Sequence, residues 1–143
     1  DKKGAAINNE GKMTINNATV NSVFYAVWSS GANTETTING GKYSATNNVN
    51  NRDVWAYAVV ANNGATLTIN GGEFTGNHGA IAAQFSGKAF LNAGTFYCTA
   101  EYTGNSDWTL YTDDSSSIEY DAANCVVRTE NPSGATYGNV TAK

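Results

Sequence analysis

Short runs of alternating apolar and polar residues fill this chain. A period of two residues is typical of β-strands with one buried face. The apolar positions are mostly Ile, Val, Phe and Tyr, which suit the pleated surface of a sheet. No window shows a convincing helical period of 3.6 residues. The pattern therefore predicts an all-β chain, with one short helical turn expected near residues 80–85.

The alternating runs recur as one repeated motif. Its five copies read TINNATV at 14–20, TINGGKY at 37–43, TINGGEF at 68–74, FLNAGTF at 90–96 and EYDAANC at 119–125. A second block, rich in Ala, Val and aromatic residues, precedes each copy. Each repeat therefore predicts three short strands that are separated by turns.

The spacing of the copies selects an architecture. Their second positions are 22 to 31 residues apart, whereas a propeller blade needs about 40 residues or more. A sandwich does not predict one turn motif at nearly constant phase. Stacking such repeats buries a continuous interior. We expect a right-handed parallel β-helix of about five coils, forming a single domain over 1–143, with coils at about 5–127 and an irregular tail or cap at 128–143.

Stacked coils place equivalent residues in columns. We expect one interior column of Ile15, Ile38, Ile69, Leu91 and Tyr120 and another of Val20, Tyr43, Phe74, Phe96 and Cys125. Between them lies a corner with positive φ at Gly40-Gly41 and Gly71-Gly72. We expect a ladder of hydrogen-bonded side chains at this corner. Its predicted members are Asn16, Asn39, Asn70, Asn92 and Asp121.

Composition and charge exclude several classes of function. The 143 residues include 20 Asn and 17 Thr, and only 14% are charged. With 8 basic residues and a pI near 4.8, a nucleic-acid partner is not expected. The sequence contains no run of about 18 apolar residues, so no membrane span is predicted. Two Cys and one His do not supply the usual four zinc ligands, so neither a metal site nor a cofactor is predicted.

The two cysteines leave two alternatives open. Cys98 and Cys125 are on the same side of adjacent coils if Cys125 aligns with Phe96. An ideal register then separates their Cα atoms by about 8 Å, which is too far for a disulfide. A shift of register in the loop before the fifth copy would bring them within reach. A disulfide and two buried thiols are both compatible with the sequence.

The TINGGKY and TINGGEF motifs resemble right-handed parallel β-helix segments of the pectate-lyase-like superfamily. They are most similar to non-catalytic Thr/Asn/Gly-rich repeats in bacterial surface proteins and in phage appendage or capsid-fibre proteins. The resemblance covers residues 5–127. It implies an extracellular location, on a cell surface or a virion. The superfamily includes lyases, hydrolases, tailspikes and adhesins, so the resemblance does not select one activity.

Two long insertions, at 47–53 and 101–107, leave the coil after the same strand and are expected on one side. Loops on a rigid solenoid are common binding sites. Aromatic residues beside them predict a strip that stacks on sugar rings, although a buried aromatic stack fits the same spacing. The candidate ligand-binding residues are Trp55, Trp108, Tyr102, Tyr57, Arg52 and Asp53.

We therefore expect a non-enzymatic structural or binding module that presents loops and aromatic residues to a glycan or to a surface protein. The first copy begins almost at once, which indicates a piece of a larger chain or a subunit of a homo-oligomeric assembly. A polysaccharide lyase or hydrolase of the same fold would need converging carboxylates. The candidate acids are Asp53, Asp107, Asp113, Asp114 and Asp121. A ligand-free decoration subunit is a further alternative. No catalytic residue is predicted, and His78 is expected in a surface turn.

Overall fold

The computed structural model describes residues 4–47, 56–99 and 107–143. These residues form 17 β-strands, and no helix among them is long and apolar enough to cross a membrane. The first coil contains β1 (Ala5–Asn9), β2 (Lys12–Ile15) and β3 (Thr19–Ser22); the second β4 (Tyr25–Ser30), β5 (Glu35–Ile38) and β6 (Lys42–Ala45); the third β7 (Tyr57–Asn62), β8 (Thr66–Ile69) and β9 (Glu73–Gly76). The fourth contains β10 (Gly79–Gln84), β11 (Lys88–Leu91) and β12 (Gly94–Cys98); the fifth β13 (Leu110–Thr112), β14 (Ser117–Tyr120) and β15 (Cys125–Thr129); the sixth β16 (Thr136–Tyr137) and β17 (Val140–Ala142).

Three parallel sheets extend along the molecule. Sheet A contains β1, β4, β7, β10, β13 and β16, sheet B contains β2, β5, β8, β11, β14 and β17, and sheet C contains β3, β6, β9, β12 and β15. Every pairing joins equivalent strands of successive coils. These pairings confirm the predicted all-β parallel β-helix of about five coils.

The tail after residue 127 continues the solenoid. β15 extends to Thr129, and β16 and β17 then pair in parallel with β13 and β14. The described residues therefore form five complete coils and a sixth that contributes to sheets A and B.

The predicted helical turn near residues 80–85 is wrong. Residues 79–84 form β10, whose residues are buried except for the half-buried Gln84. A buried Ala-rich run has no alternation, so its sequence does not distinguish a strand from a helix. The chain forms a strand there because β7 and β13 pair with it on both sides.

Two interior columns fill the solenoid. The column of sheet B has the predicted members, from Ile15 to Tyr120. In sheet C, Phe96 pairs with Val127, while Cys125 pairs with Gly94. The predicted place of Cys125 in this column is therefore wrong. The corner of the fifth coil is two residues longer than that of the fourth, and the sequence motif does not reveal the insertion.

Aromatic rings stack at the centre of the sheet C column. The Tyr43 and Phe74 ring centroids are 5.0 Å apart, and the next pair, Phe74 and Phe96, is 5.2 Å apart. Each pair is nearly parallel, and the three side chains are almost fully buried. The Tyr43 hydroxyl donates to the Gly40 carbonyl at 2.7 Å. This stack follows from parallel strands in register, which superimpose identical positions at the coil spacing of about 4.8 Å.

A second cluster is separate from this interior. It contains Tyr25, Trp28, Tyr57, Val60 and Ala82, all from the sheet A strands β4, β7 and β10. The sheet A interior is filled by their neighbours Val27, Val59 and Ile81. The first five residues of β4 and β10, and all six of β7, are buried. Both faces of sheet A are therefore covered over coils 2 to 4, as in other parallel sheets.

The corner between sheets B and C carries a directional ladder of amides. Asn39 donates its Nδ2 to Oδ1 of Asn16 at 2.9 Å, Asn70 donates to Asn39 at 2.8 Å, and Asn92 donates to Asn70 at 2.8 Å. Asp121 occupies the next backbone position, because its N–H donates to the Leu91 carbonyl as Asn92 N–H does to Ile69. Its carboxylate has no N–H to donate to Asn92, and it binds Ala123 and Asn124 instead.

At this corner the second glycine of each pair has the special backbone. Gly41 and Gly72 have φ of 111° and 114°. A Cβ on Gly41 would lie 2.2 Å from the Ala18 carbonyl oxygen. The positive φ and the lack of room for a Cβ both require glycine at position 41. Gly40 does not have the predicted positive φ.

Breaking the ladder is expected to have graded effects. Asn70→Ala removes two ladder hydrogen bonds and Asn92→Ala removes one. At about 0.5–1.5 kcal/mol per hydrogen bond, Asn70→Ala should lower the free energy of unfolding about twice as much as Asn92→Ala. Urea unfolding of both variants measures the difference. Equal losses would contradict a contribution from the ladder itself.

Two turns between sheets A and B have the same form but different sequences. In both, the fourth residue donates its N–H to the first carbonyl: Ala65 to Asn62 and Gly87 to Gln84. The central pair is Asn63-Gly64 in coil 3, with φ of 51° and 81°. In coil 4 it is Phe85-Ser86, with φ of 50° and 66°. The type I′ turn favours Asn-Gly, so Phe and Ser are strained there.

Side chains of the next coil hold this strained turn. Phe85 N–H donates to Asp113 Oδ2 at 2.7 Å, Ser86 N–H to Ser115 Oγ at 2.9 Å, and Gly87 N–H to Ser116 Oγ at 3.1 Å. The Phe85 side chain is 62% exposed. The turn is thus fixed by its backbone, and the ring is left in solvent.

Replacing Phe85-Ser86 with Asn-Gly is expected to stabilise the protein. Left-handed conformation costs an ordinary residue about 1–2 kcal/mol, and Asn and Gly relieve most of it. Thermal unfolding should show a higher Tm, by several degrees. The reverse exchange, Asn63-Gly64 to Phe-Ser, is the matched control and should lower the Tm. A lower Tm for the first variant would contradict the strain at Phe85.

Candidate functional site

The structure describes only two of the six predicted ligand-binding residues, Tyr57 and Trp108. Trp55, Tyr102, Arg52 and Asp53 lie outside the described residues. The segments that contain them, 48–55 and 100–106, follow the sheet C strands β6 and β12 and precede the sheet A strands β7 and β13. Both insertions therefore leave the solenoid at the same corner, between sheets C and A.

Tyr57 does not fit its predicted role. Its side chain is fully buried within the second cluster of sheet A. Burial is the main reason why the pKa of its phenol is raised well above the usual value. A fully buried ring offers no face to a ligand, so Tyr57 contributes to packing within the cluster.

Trp108 is half-buried and belongs to a group of partly exposed rings. Its ring centroid lies 5.3 Å from that of Tyr137, and the Tyr111 and Tyr137 rings stack at 5.6 Å with 4° between their planes. Tyr111 in turn contacts Tyr57, with centroids 6.3 Å apart. We call Trp108, Tyr111 and Tyr137 the aromatic patch.

The position of the aromatic patch follows from the register of sheet A. Trp28, Val60, Ala82, Tyr111 and Tyr137 are equivalent residues of coils 2 to 6. Trp28, Val60 and Ala82 are at most 4% exposed, whereas Tyr137 is 53% exposed. The row therefore emerges into solvent at its last two coils, where flat amphipathic rings can stack on a ligand.

Sequence reasoning missed Tyr137. It lies in the tail, which lacks the TINGG motif and was not assigned a coil. The available signal was Ala135-Thr136-Tyr137, which matches Thr109-Leu110-Tyr111 in ending on a tyrosine.

A group of buried polar residues lies at the corner where the insertions leave. We call Asn77, His78, Asp107 and Asn131, all at most 8% exposed, the polar corner. Asn77 Nδ2 donates to the carbonyls of Thr46 and Asn47, and Asn131 Nδ2 donates to the Asp107 carbonyl at 2.6 Å. These amides fix the chain beside both insertions.

The surface position predicted for His78 is wrong, because the residue is 2% exposed. Its side-chain Nδ1 accepts the Ala56 backbone N–H at 2.8 Å. The backbone N–H of His78 donates to the Ala56 carbonyl. An acceptor Nδ1 requires the proton on Nε2 in the neutral imidazole. His78 thus closes the corner between coils 3 and 4.

Asp107 lies in the next coil, opposite His78 in the register that pairs Ile81 with Leu110. Within the described part of the chain, its Oδ2 is buried and has no hydrogen-bond partner. Burial raises the pKa of the Asp107 carboxyl from 3.8 to about 6. A buried carboxylate without partners is costly, so folding favours the protonated form.

Two other candidate acids, Asp113 and Asp121, accept hydrogen bonds in turns. Burial raises the pKa of Asp113, but hydrogen bonds from Phe85 N–H, Ser116 and Ser115 outweigh it and lower the pKa overall. Hydrogen bonds from Asn124 and Ala123 lower the pKa of Asp121. Among the described residues, no group of three or more His, Cys, Asp or Glu is placed to hold a metal ion.

Cys98 and Cys125 are thiols in the structure. Cys125 pairs with Gly94, four residues before Cys98 on β12. Strand rise and strand spacing then separate their Cα atoms by about 14 Å, beyond the reach of a disulfide. The disulfide alternative is therefore excluded by the register.

Protein-family models, curated proteins and solved structures were each compared with this chain, and none matches it.

The charge state of Asp107 should make stability depend on pH. Its pKa is raised in the folded state, so its favourable contribution is complete below about pH 4 and is lost as the pH rises through 6. Asp107→Asn should reduce the fall in unfolding free energy between pH 5 and pH 7.5. Urea titrations of both proteins at both pH values isolate this group, because Tyr57 and His78 are common to them. An unchanged pH dependence would contradict the raised pKa.

Proposed function

We propose that this chain is a non-enzymatic binding module whose aromatic patch stacks on the sugar rings of a glycan. The observation that supports the proposal is the arrangement of three rings, in which Tyr137 contacts both Trp108 and Tyr111. Trp108 and Tyr111 are half-buried, and Tyr137 is 53% exposed. Sugar rings carry apolar C–H faces that pack on flat aromatic surfaces.

The support beneath the aromatic patch favours binding rather than general packing. Tyr111 rests on the fully buried Tyr57, and Trp108 has Gly134 beside it, where an added Cβ would approach the indole to 3.6 Å. Tyr111 and Tyr137 lie on the paired strands β13 and β16, and Trp108 lies two residues before β13. A rigid platform loses little side-chain entropy when a ligand binds.

The same proposal includes the setting of the protein. Thr/Asn/Gly-rich coils of this type resemble non-catalytic β-helix repeats of the pectate-lyase-like superfamily. We assign the chain to that group and place it outside the cell, on a cell surface or a virion. The flat, weakly charged faces, with Thr14, Thr37 and Thr68 in one row, fit a displayed solenoid.

Removing rings from the aromatic patch should weaken glycan binding. The full chain is first screened on a panel of immobilised oligosaccharides, and its best ligand is then titrated by calorimetry. Tyr137→Ala and Trp108→Ala should each raise the Kd about 5- to 30-fold, equivalent to about 1–2 kcal/mol. Circular dichroism verifies that the variants remain folded.

The matched control is Phe85→Asn, which removes an exposed ring outside the aromatic patch and should leave the Kd unchanged. No glycan binding by the unaltered chain would contradict the proposal, as would equal Kd values for all variants. Depolymerisation of an acidic polysaccharide by the chain would contradict its non-enzymatic part.

A further inference from the structure

The amide ladder ends with an acceptor that is not used within the solenoid. Asn16, Asn39 and Asn70 each accept at Oδ1 from the next coil. Asn92 is followed by Asp121, whose carboxylate cannot donate. The Asp121 side chain turns to Ala123 N–H and Asn124 Nδ2 of its own loop. Among the described residues, no hydrogen bond reaches Asn92 Oδ1.

A cavity open to solvent, of about 380 Å³, lies at this point. Its lining includes Phe90, Asn92, Glu119, Tyr120, Asp121 and Lys143. The residues come from three successive coils of sheet B and its corner with sheet C. We call this space the ladder-end cavity. It has the mixture of aromatic wall and few polar groups that is typical of small-molecule sites.

Phe90 gives the ladder-end cavity an apolar wall. In the row of sheet B that contains it, coils 1 to 3 carry Thr14, Thr37 and Thr68, and coil 5 carries Glu119. Phe90 is half-buried and faces outward, because its neighbours Ala89 and Leu91 are in the interior core. The row therefore changes from a flat threonine surface to a ring at the mouth of the cavity.

The polar groups of the cavity are mainly acceptors. Asn92, Asp121 and Glu119 line the cavity together with one residue that carries an ammonium group, Lys143, which is paired with Glu119. Two anionic groups and one cationic group leave the cavity with a net negative charge. A complementary ligand supplies several donors, a positive charge and an apolar face.

From this geometry we propose that the ladder-end cavity binds an amino-sugar unit. The pyranose ring packs on Phe90, and its ammonium and hydroxyl groups donate to Asn92 Oδ1, Glu119 and Asp121. The cavity opens beside sheet B and the aromatic patch lies on sheet A, so the two sites are separate. This inference does not depend on the patch, although both assign carbohydrate ligands.

Three soluble probes of equal length and different charge test the class of ligand: a glucosamine trimer, cellotriose and trigalacturonic acid. Saturation-transfer NMR and calorimetry with the full chain should show the lowest Kd for the glucosamine trimer and the highest for the uronate. Added salt should raise the Kd of the glucosamine trimer. Equal Kd values for the amino and neutral trimers would overturn the assignment to amino sugars.

Variants then locate the site. Phe90→Thr restores the residue that occupies this row in coils 1 to 3 and should raise the Kd for the glucosamine trimer about 5- to 30-fold. Glu119→Gln keeps the shape, removes one negative charge and should also raise it. Thermal unfolding confirms that both variants are folded, and Thr68→Ser in the same row is the matched control.

Tyr137→Ala separates the two proposals. It should leave binding of the glucosamine trimer unchanged if the ladder-end cavity is the site. Loss of this binding in Tyr137→Ala, with binding retained in Phe90→Thr, would overturn the cavity assignment and would support the aromatic patch. Loss in Phe90→Thr alone supports the cavity, whatever the screen for ligands of the patch yields.

Discussion

Parallel pairing of equivalent strands between successive coils is the interaction on which the other features depend. A single coil of three short strands has no interior of its own, and the backbone groups of its strands pair with the coils before and after it. Register is strict, because a shift of one residue would exchange the buried and exposed faces of a strand. Once Ile38 is opposite Ile69 and Tyr43 opposite Phe74, the core column, the ring stack and the amide ladder all follow.

Register also explains where the regular pattern ends. The ladder needs a side chain that both donates and accepts, and Asp121 does not donate. The longer corner of the fifth coil displaces Cys125 from the core column and gives its place to Val127. The ladder-end cavity is lined by residues of this corner and of the coils on either side of it. The fifth coil thus combines a displaced cysteine, the end of the ladder and part of a concave surface.

The two sides of sheet A differ from those of an ordinary exposed solenoid. Apolar side chains cover its outer surface over coils 2 to 4, and the row becomes accessible only at Tyr111 and Tyr137. Nearby, buried amides and the His78 imidazole satisfy the backbone where two insertions leave the coil. Asp107 is the exception: burial raises the pKa of its carboxyl, and its Oδ2 has no hydrogen-bond partner among the described residues. Sheet A and its corner with sheet C therefore carry both a group that makes stability depend on pH and rings that are open to solvent.

The sequence by itself determined the architecture, because five in-phase copies of one motif leave few ways to bury their apolar residues. It also indicated four of the amides that form the ladder, since identical residues at a constant phase must stack. It did not reveal the burial of His78, the exposed ring of Tyr137 or the true partner of Cys125, and for Tyr57 it left a buried and a ligand-binding position open. Those depend on how coils of unequal length align, and a two-residue insertion at a corner has no signature in the alternating pattern. Only the tertiary structure decided which rings of one row are covered and which meet solvent, because exposure depends on the neighbouring coils and not on the residue itself.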